Sequence, residues 1–169
     1  MNELRRRYPD LYARHAAKYE GREHVLSQPV PPLECTWGDV TFFSPVDSRV
    51  LFEAIRESGR KVPVMRNWTL DAGHLDPSRT CIRLMRKSAT AISSEPATPD
   101  DFLPFTTATL RAVSRVTDAA LTRLRNLTAD EPLLPWVDVP HVLHRGPVPF
   151  SLFTECDGQD VAPDQTVTR

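Results

Sequence analysis

Sixteen prolines and only six glycines punctuate this chain of 169 residues, and that imbalance limits its shape more than any other feature. Proline stands at about twice the ~5% of an average protein and glycine at about half of the ~7%. Each proline removes a backbone donor and biases its predecessor out of the α region, so connections are expected to be stiff and extended. The segment PVPPLE, Pro29 to Glu34, reads as extended for this reason.

The length suits one substantial core and is short for two. With 40% hydrophobic and 25% charged residues the composition is globular. We expect a single α+β domain over residues 1–153, with a mixed or antiparallel sheet and peripheral helices. A loose acidic tail is expected over residues 154–169, ending a polar run ECDGQDVAPDQTVTR.

Periodicity and punctuation place the elements. Residues 2–24 read as a solvated amphipathic helical stretch, with Pro9 in the first turn of a helix beginning near Tyr8. Val40 to Ser44 reads as a buried strand, and Asp47 as the cap of a helix from Ser48 to Ser58. That helix gathers Val50, Leu51, Ala54 and Ile55 on one face and stops at Gly59. Residues 62–70 and 80–86 have strand character, separated by the turn-forming DAGHLDPSR. Lys87 to Asp101 is small, polar and proline-bearing, and reads as a surface loop too polar to order itself. Thr106 or Thr107 and Thr117 are candidate caps of two short helices, the first carrying Leu110 and Val113, the second Ala120, Leu121 and Leu124. Residues 136–145, WVDVPHVLHR, read as extended, with a strand start or bulge at Pro140.

Charge and cysteine usage narrow the function classes. A formal charge of -1 offers no general attraction to nucleic acid or anionic lipid, so nucleic acid is not an expected partner. The run Arg5–Arg7 lies beside Glu3 and Asp10 and reads as a solvated face. No apolar run approaches the ~20 residues of a bilayer span. Three cysteines without a signal-like segment point to the cytoplasm, and 18 arginines against 3 lysines suggest a GC-rich bacterial source.

The candidate chemistry is dispersed. His141 and His144 are three apart on extended backbone, which turns them to opposite faces and rules out a shared chelate. Cys35 and Cys81 lack a partnering C-x-x-C, so no metal is expected. Cys156, between Glu155 and Asp157, makes a poor nucleophile. Asp71 and Asp76 flank His74, but aspartates in such a segment start turns by accepting backbone N–H groups. Neither a phosphate-binding glycine loop nor a G-x-S-x-G elbow occurs.

Three segments carry a likeness to a known fold: RHAAKYEGR from Arg14, GDVTFFSPVDSRVLFEAIRESG from Gly38, and HVLHRGPVPFSLF from His141. Their order resembles the ADP-ribosyltransferase-like fold, a split, mostly antiparallel β architecture that binds NAD. The resemblance implies that His15 orients the ribose, with Arg14 and Tyr19 beside it. It implies that Phe42 or Phe43 stacks on a ring, near Ser44, and that Arg145 meets phosphate. Phe stands where the family often has Tyr. His141, or nearby Asp138, stands where it has a catalytic Glu, and imidazole lacks the full negative charge that steadies a cationic transition state.

On this reading the chain engages NAD or a related nucleotide in an ADP-ribosyltransferase-like pocket, with His15 and His141 as its catalytic positions, and the missing Glu makes that pocket an altered or degenerate one. The alternative is a non-catalytic interaction or accessory domain that contacts a protein partner through Trp37, Trp68 or Trp136.

Overall fold

The computed structural model describes residues 2–21, 23–62, 67–85 and 97–156. In chain order the helices are α1 (Asn2–Arg7), α2 (Pro9–Ala16), α3 (Ser48–Glu57), α4 (Thr107–Val113) and α5 (Asp118–Arg125). The strands are β1 (Pro29–Val30), β2 (Cys35–Thr36), β3 (Val40–Phe43), β4 (Asn67–Leu70), β5 (Thr80–Arg83), β6 (Phe102–Pro104), β7 (His141–Arg145) and β8 (Phe153–Cys156). The chain is thus α+β, and among the described residues every strand pairing is antiparallel.

A four-stranded sheet in the order β3-β7-β5-β6 is the centre, and two-stranded ribbons β1-β2 and β4-β8 flank it. Thr80, Cys81 and Ile82 in β5, and Val142, Leu143 and His144 in β7, are all buried. Both faces of the central pair are therefore covered, which explains why a simple apolar–polar alternation is absent there. One face packs Val40, Cys81, Phe102 and Leu143 against Val30 and Leu33 of the β1-β2 ribbon. The opposite face packs Ile82 and Val142 against Leu75, Phe105 and Val113. A third cluster joins α3 to α5 through Leu51, Phe52, Ala54, Ile55, Leu124 and Leu127.

The helix ends follow local chemistry. The Asp47 side chain accepts the Arg49 N–H at 2.9 Å and starts α3, and Gly59 at φ +81° ends it. Thr106 and Thr117 cap α4 and α5, and Pro9 occupies the first turn of α2. Asp71 and Asp76 each accept a backbone N–H two residues on and open short 3₁₀ turns.

Several expectations need correction. Val50 is 41% exposed, and Phe52 takes the buried place beside Leu51. The PVPPLE segment is extended only at Pro29–Val30. Pro31–Leu33 then form a 3₁₀ turn, because Pro31 sits where no N–H is required, and Glu34 closes the loop in the left-handed region at φ 48°. In the stretch 62–70 the strand is Asn67–Leu70, and residues 63–66 lie outside the described residues. The strand expected over 80–86 stops at Arg83, with 86 outside the described residues. Of the loop expected from Lys87 to Asp101, the described end is ordered. A reciprocal Thr98–Asp101 capping box closes a turn at Pro99–Asp101 that leads into β6. Residues 136–140 turn rather than extend, with Val139 N–H donating to Trp136 C=O at 3.3 Å, and the strand begins at His141. At the other end β8 runs to Cys156, three residues into the expected tail, because β4 supplies its backbone partners. Residues 157–169 lie outside the described residues.

Candidate functional site

The residues singled out by the sequence are dispersed over the structure. Arg14 and His15 are exposed on α2, and Tyr19 is half-buried in the turn Ala17–Tyr19; α2 packs on α1 and on that turn. Phe43 lies on the α4-side face of the sheet, stacked on Phe153 with centroids 6.1 Å apart. Phe42 and His141 lie on the opposite face and meet edge-on at 6.3 Å. Successive strand residues point to opposite faces, so Phe42 and Phe43 cannot serve one ring together, and Phe43 and His141 are separated by the sheet itself. His15, Phe43 and His141 do not form one constellation.

Phe42 and His141 are instead part of a packed cluster. Trp37 lies 4.5 Å from Phe42, and the Arg83 guanidinium stacks over the Trp37 ring at 4.5 Å. His141 Nδ1 is 2.7 Å from the Val139 carbonyl, which can only accept, so Nδ1 carries the proton and Nε2 keeps its lone pair. Burial holds the His141 pKa below the usual imidazole range, with Arg83 adding to the depression and the Val139 bond opposing it. Asp138, the nearby carboxylate, is paired with Arg123 at 2.5 Å. Ser44 is exposed, and its Oγ accepts the Val46 N–H at 3.3 Å, a turn role.

His141 and His144 do face opposite sides of β7. His144 is buried, with Nδ1 2.9 Å from Thr80 Oγ1. Burial, then the neighbouring Arg79, lowers its pKa, with Asp76 opposing. Among the cysteines, burial raises the Cys35 thiol and pushes Cys81 up to about 12, which keeps both as thiols at neutral pH. Among the described residues no group of three His, Cys, Asp or Glu side chains is placed to hold a metal ion, and no helix is long and apolar enough to cross a membrane.

Arg145 leads to the concave surface. Its guanidinium donates to the Leu33 carbonyl at 2.9 Å and lines a polar groove of about 370 Å³ with Arg79, Ser78 and Glu34. Pro32, Leu33 and Ser78 also line an adjoining cleft of about 620 Å³. The roof of the cleft is the Pro31–Leu33 turn; its floor is Cys81, Phe102 and Pro104 at the β5-β6 edge. Pro77 and Pro99 complete the walls. Proline offers no backbone donor, so this wall is apolar and stiff, while the arginine end is polar. The volume falls in the range of small-molecule sites, ~300–1,000 Å³.

Of the residues singled out from the sequence, Arg145 alone lines the groove. Arg79 and Pro77 escaped because their segment reads as turn chemistry, and Pro31 and Pro32 because theirs reads as extended. The repeated proline turns, PVPPLE and LDPSR, were the available signal. They lie 40-odd positions apart in the chain and meet only through the sheet. No protein-family model, no curated protein and no solved structure matches the chain.

Proposed function

We propose that this chain binds a small organic ligand in the cleft beneath the Pro31–Leu33 turn. The observation that carries the reading is the continuity of an apolar, proline-walled cleft with a groove containing two arginines. Predominantly apolar walls with a few convergent polar groups are the usual make-up of a ligand site. Nucleotides and NAD are the class the ADP-ribosyltransferase-like resemblance puts forward. In this reading Arg145 keeps its expected place near phosphate, while the His15–Phe43–His141 arrangement is given up. The pocket is then a binding site, altered from the family's catalytic one.

Thermal unfolding with NAD, ADP-ribose and AMP at millimolar concentration tests it. A ligand at 100 times its Kd stabilises the folded state by about 2.7 kcal/mol, and the melting temperature rises accordingly. Ser78→Trp, at the exposed junction of cleft and groove, is expected to abolish the rise while leaving the unliganded fold intact. The reading fails if none of the three raises the melting temperature, or if Ser78→Trp leaves the rise unchanged.

A second reading, docking of a protein partner, is favoured by a different observation. Trp68 and Phe150 are 41% and 69% exposed, with centroids 4.9 Å apart, and Phe150 stacks on Phe153 behind them. Trp37 and Trp136 are engaged inside the fold, so Trp68 is the tryptophan available as a contact anchor. A stoichiometric partner held by the unaltered chain and released by Trp68→Ala would support this reading; retention by that variant would end it.

A further inference from the structure

Arg79 and Arg145 approach the same groove from two unconnected segments, the turn Pro77–Arg79 and the end of β7. Arg145 is positioned from behind by its bond to the Leu33 carbonyl. The Arg79 guanidinium lies against Gly146, where a Cβ would overlap it. Gly146 at φ +117° therefore both turns the chain and leaves room for the cation. Among the described residues no side chain forms a hydrogen bond or ion pair with the Arg79 guanidinium.

The acids nearby are mostly occupied. Asp76 Oδ1 accepts from both the Ser78 N–H and the Ser78 hydroxyl, at 2.9 and 2.7 Å. Asp39 Oδ2 accepts from the Thr36 N–H and hydroxyl, at 3.2 and 2.7 Å. Glu34 is the carboxylate that lines the groove itself. Two guanidiniums thus face one acid across a space large enough for a tetrahedral or planar oxyanion.

We propose that Arg79 and Arg145 form an oxyanion site that holds the phosphate or carboxylate end of a ligand whose apolar body lies in the adjoining cleft. Guanidinium groups present paired N–H donors that match either head group. The placement of the body rests on the cleft reading above; the anion site does not. Arg79 is a positioning cation for the head group, and Ser78 and Leu33 mark the junction between the two parts of the ligand.

Calorimetric titration of the full chain, in low salt and without phosphate buffer, separates the possibilities. The probes are inorganic phosphate, phenyl phosphate, benzoate and neutral phenol. Phenyl phosphate or benzoate is expected to bind at least about tenfold tighter than phenol, since a charge-assisted hydrogen bond carries that much discrimination. The ranking of phenyl phosphate against benzoate identifies the head group. Arg79→Gln is expected to bring the charged probes to the phenol level without lowering the melting temperature, and Glu34→Gln to tighten the charged probes alone. Arg145→Gln also removes the Leu33 anchor, so Arg79→Gln is the deciding variant.

Phenol binding with no preference for the charged probes overturns the oxyanion site and leaves the cleft reading standing. Inorganic phosphate binding that depends on Arg79, with no phenol binding, does the reverse. A charge preference unchanged in Arg79→Gln overturns the oxyanion site, and binding of none of the four overturns both.

Discussion

The Thr80 hydroxyl and the His144 imidazole lie 2.9 Å apart on one face of the β5-β7 ladder, and a third group decides the direction of their hydrogen bond. Thr80 Oγ1 also lies 2.6 Å from the Asp76 carbonyl, which can only accept. The single hydroxyl proton therefore goes to Asp76, and Thr80 accepts from His144 Nδ1–H. His144 is not a base for Thr80, and the pair ties the Asp76 turn to the central sheet. Thr80→Val conserves the shape but leaves a buried N–H without its acceptor, at a cost of about 1–3 kcal/mol. Urea unfolding measures that loss, and nitrogen chemical shifts of His144 should show the proton on Nδ1; a proton on Nε2 would contradict the assignment.

Stability is expected to fall on mild acidification. Burial lowers the pKa of both His141 and His144 in the folded chain, whereas an unfolded histidine titrates near ~6.5. Below that pH the unfolded chain binds more protons than the folded one, so acid favours unfolding. The histidine contribution is complete above about pH 6.5 and is lost as pH falls through the lower folded values. Urea midpoints at pH 7.5 and 5.5 test the sign. Equal midpoints, or a higher one at pH 5.5, would show that neither ring is held neutral.

Two substitutions separate buried from exposed apolar positions. Leu143 is 0% exposed in a central strand, and Leu143→Ala should cost about 2–5 kcal/mol through lost burial and a cavity. Val50, at 41% exposure on α3, should tolerate alanine within about 0.5 kcal/mol. Chemical denaturation of both variants is sufficient, and comparable losses would mean that α3 is rotated from the orientation described.

The start of α3 offers a smaller, local test. Asp47 accepts the Arg49 N–H and also pairs with the Arg49 side chain at 2.5 Å, and these bonds hold its carboxyl below the usual range. Asp47→Ala removes the cap at about 1 kcal/mol. Asp47→Asn keeps a cap acceptor and should recover most of that, because the exposed ion pair contributes little. Failure of Asn to recover stability would shift the weight from the cap to the ion pair.

Much of the local structure was legible because it depends on neighbouring residues. Asp47, Thr106 and Thr117 start helices by side-chain bonds to N–H groups two or three positions on, and Val40–Phe43 is a strand by composition. The weaker strands were not legible. β6 has three residues ending in Pro104, and β8 lies in a polar stretch; each is a strand through the partner it meets. The same applies to Val50 and Phe52, since an apolar helical face can be rotated by one position without altering its pattern.

The residues themselves determined that this chain would be built of short elements joined by stiff proline turns, because proline acts on its own φ angle and on its immediate predecessor. They also determined that His141 and His144 would diverge, because extended backbone alternates faces. Tertiary structure alone decided that Phe43 and His141 would be parted by a sheet. It also decided that Arg79 and Arg145, 66 positions apart in sequence, would share one groove. That convergence follows from strand order β3-β7-β5-β6, which places β7 beside β5 and brings the turn preceding β5 to the far end of β7. Strand order depends on how the apolar clusters on the two faces of the sheet close, and that competition is not written in any local stretch of the chain.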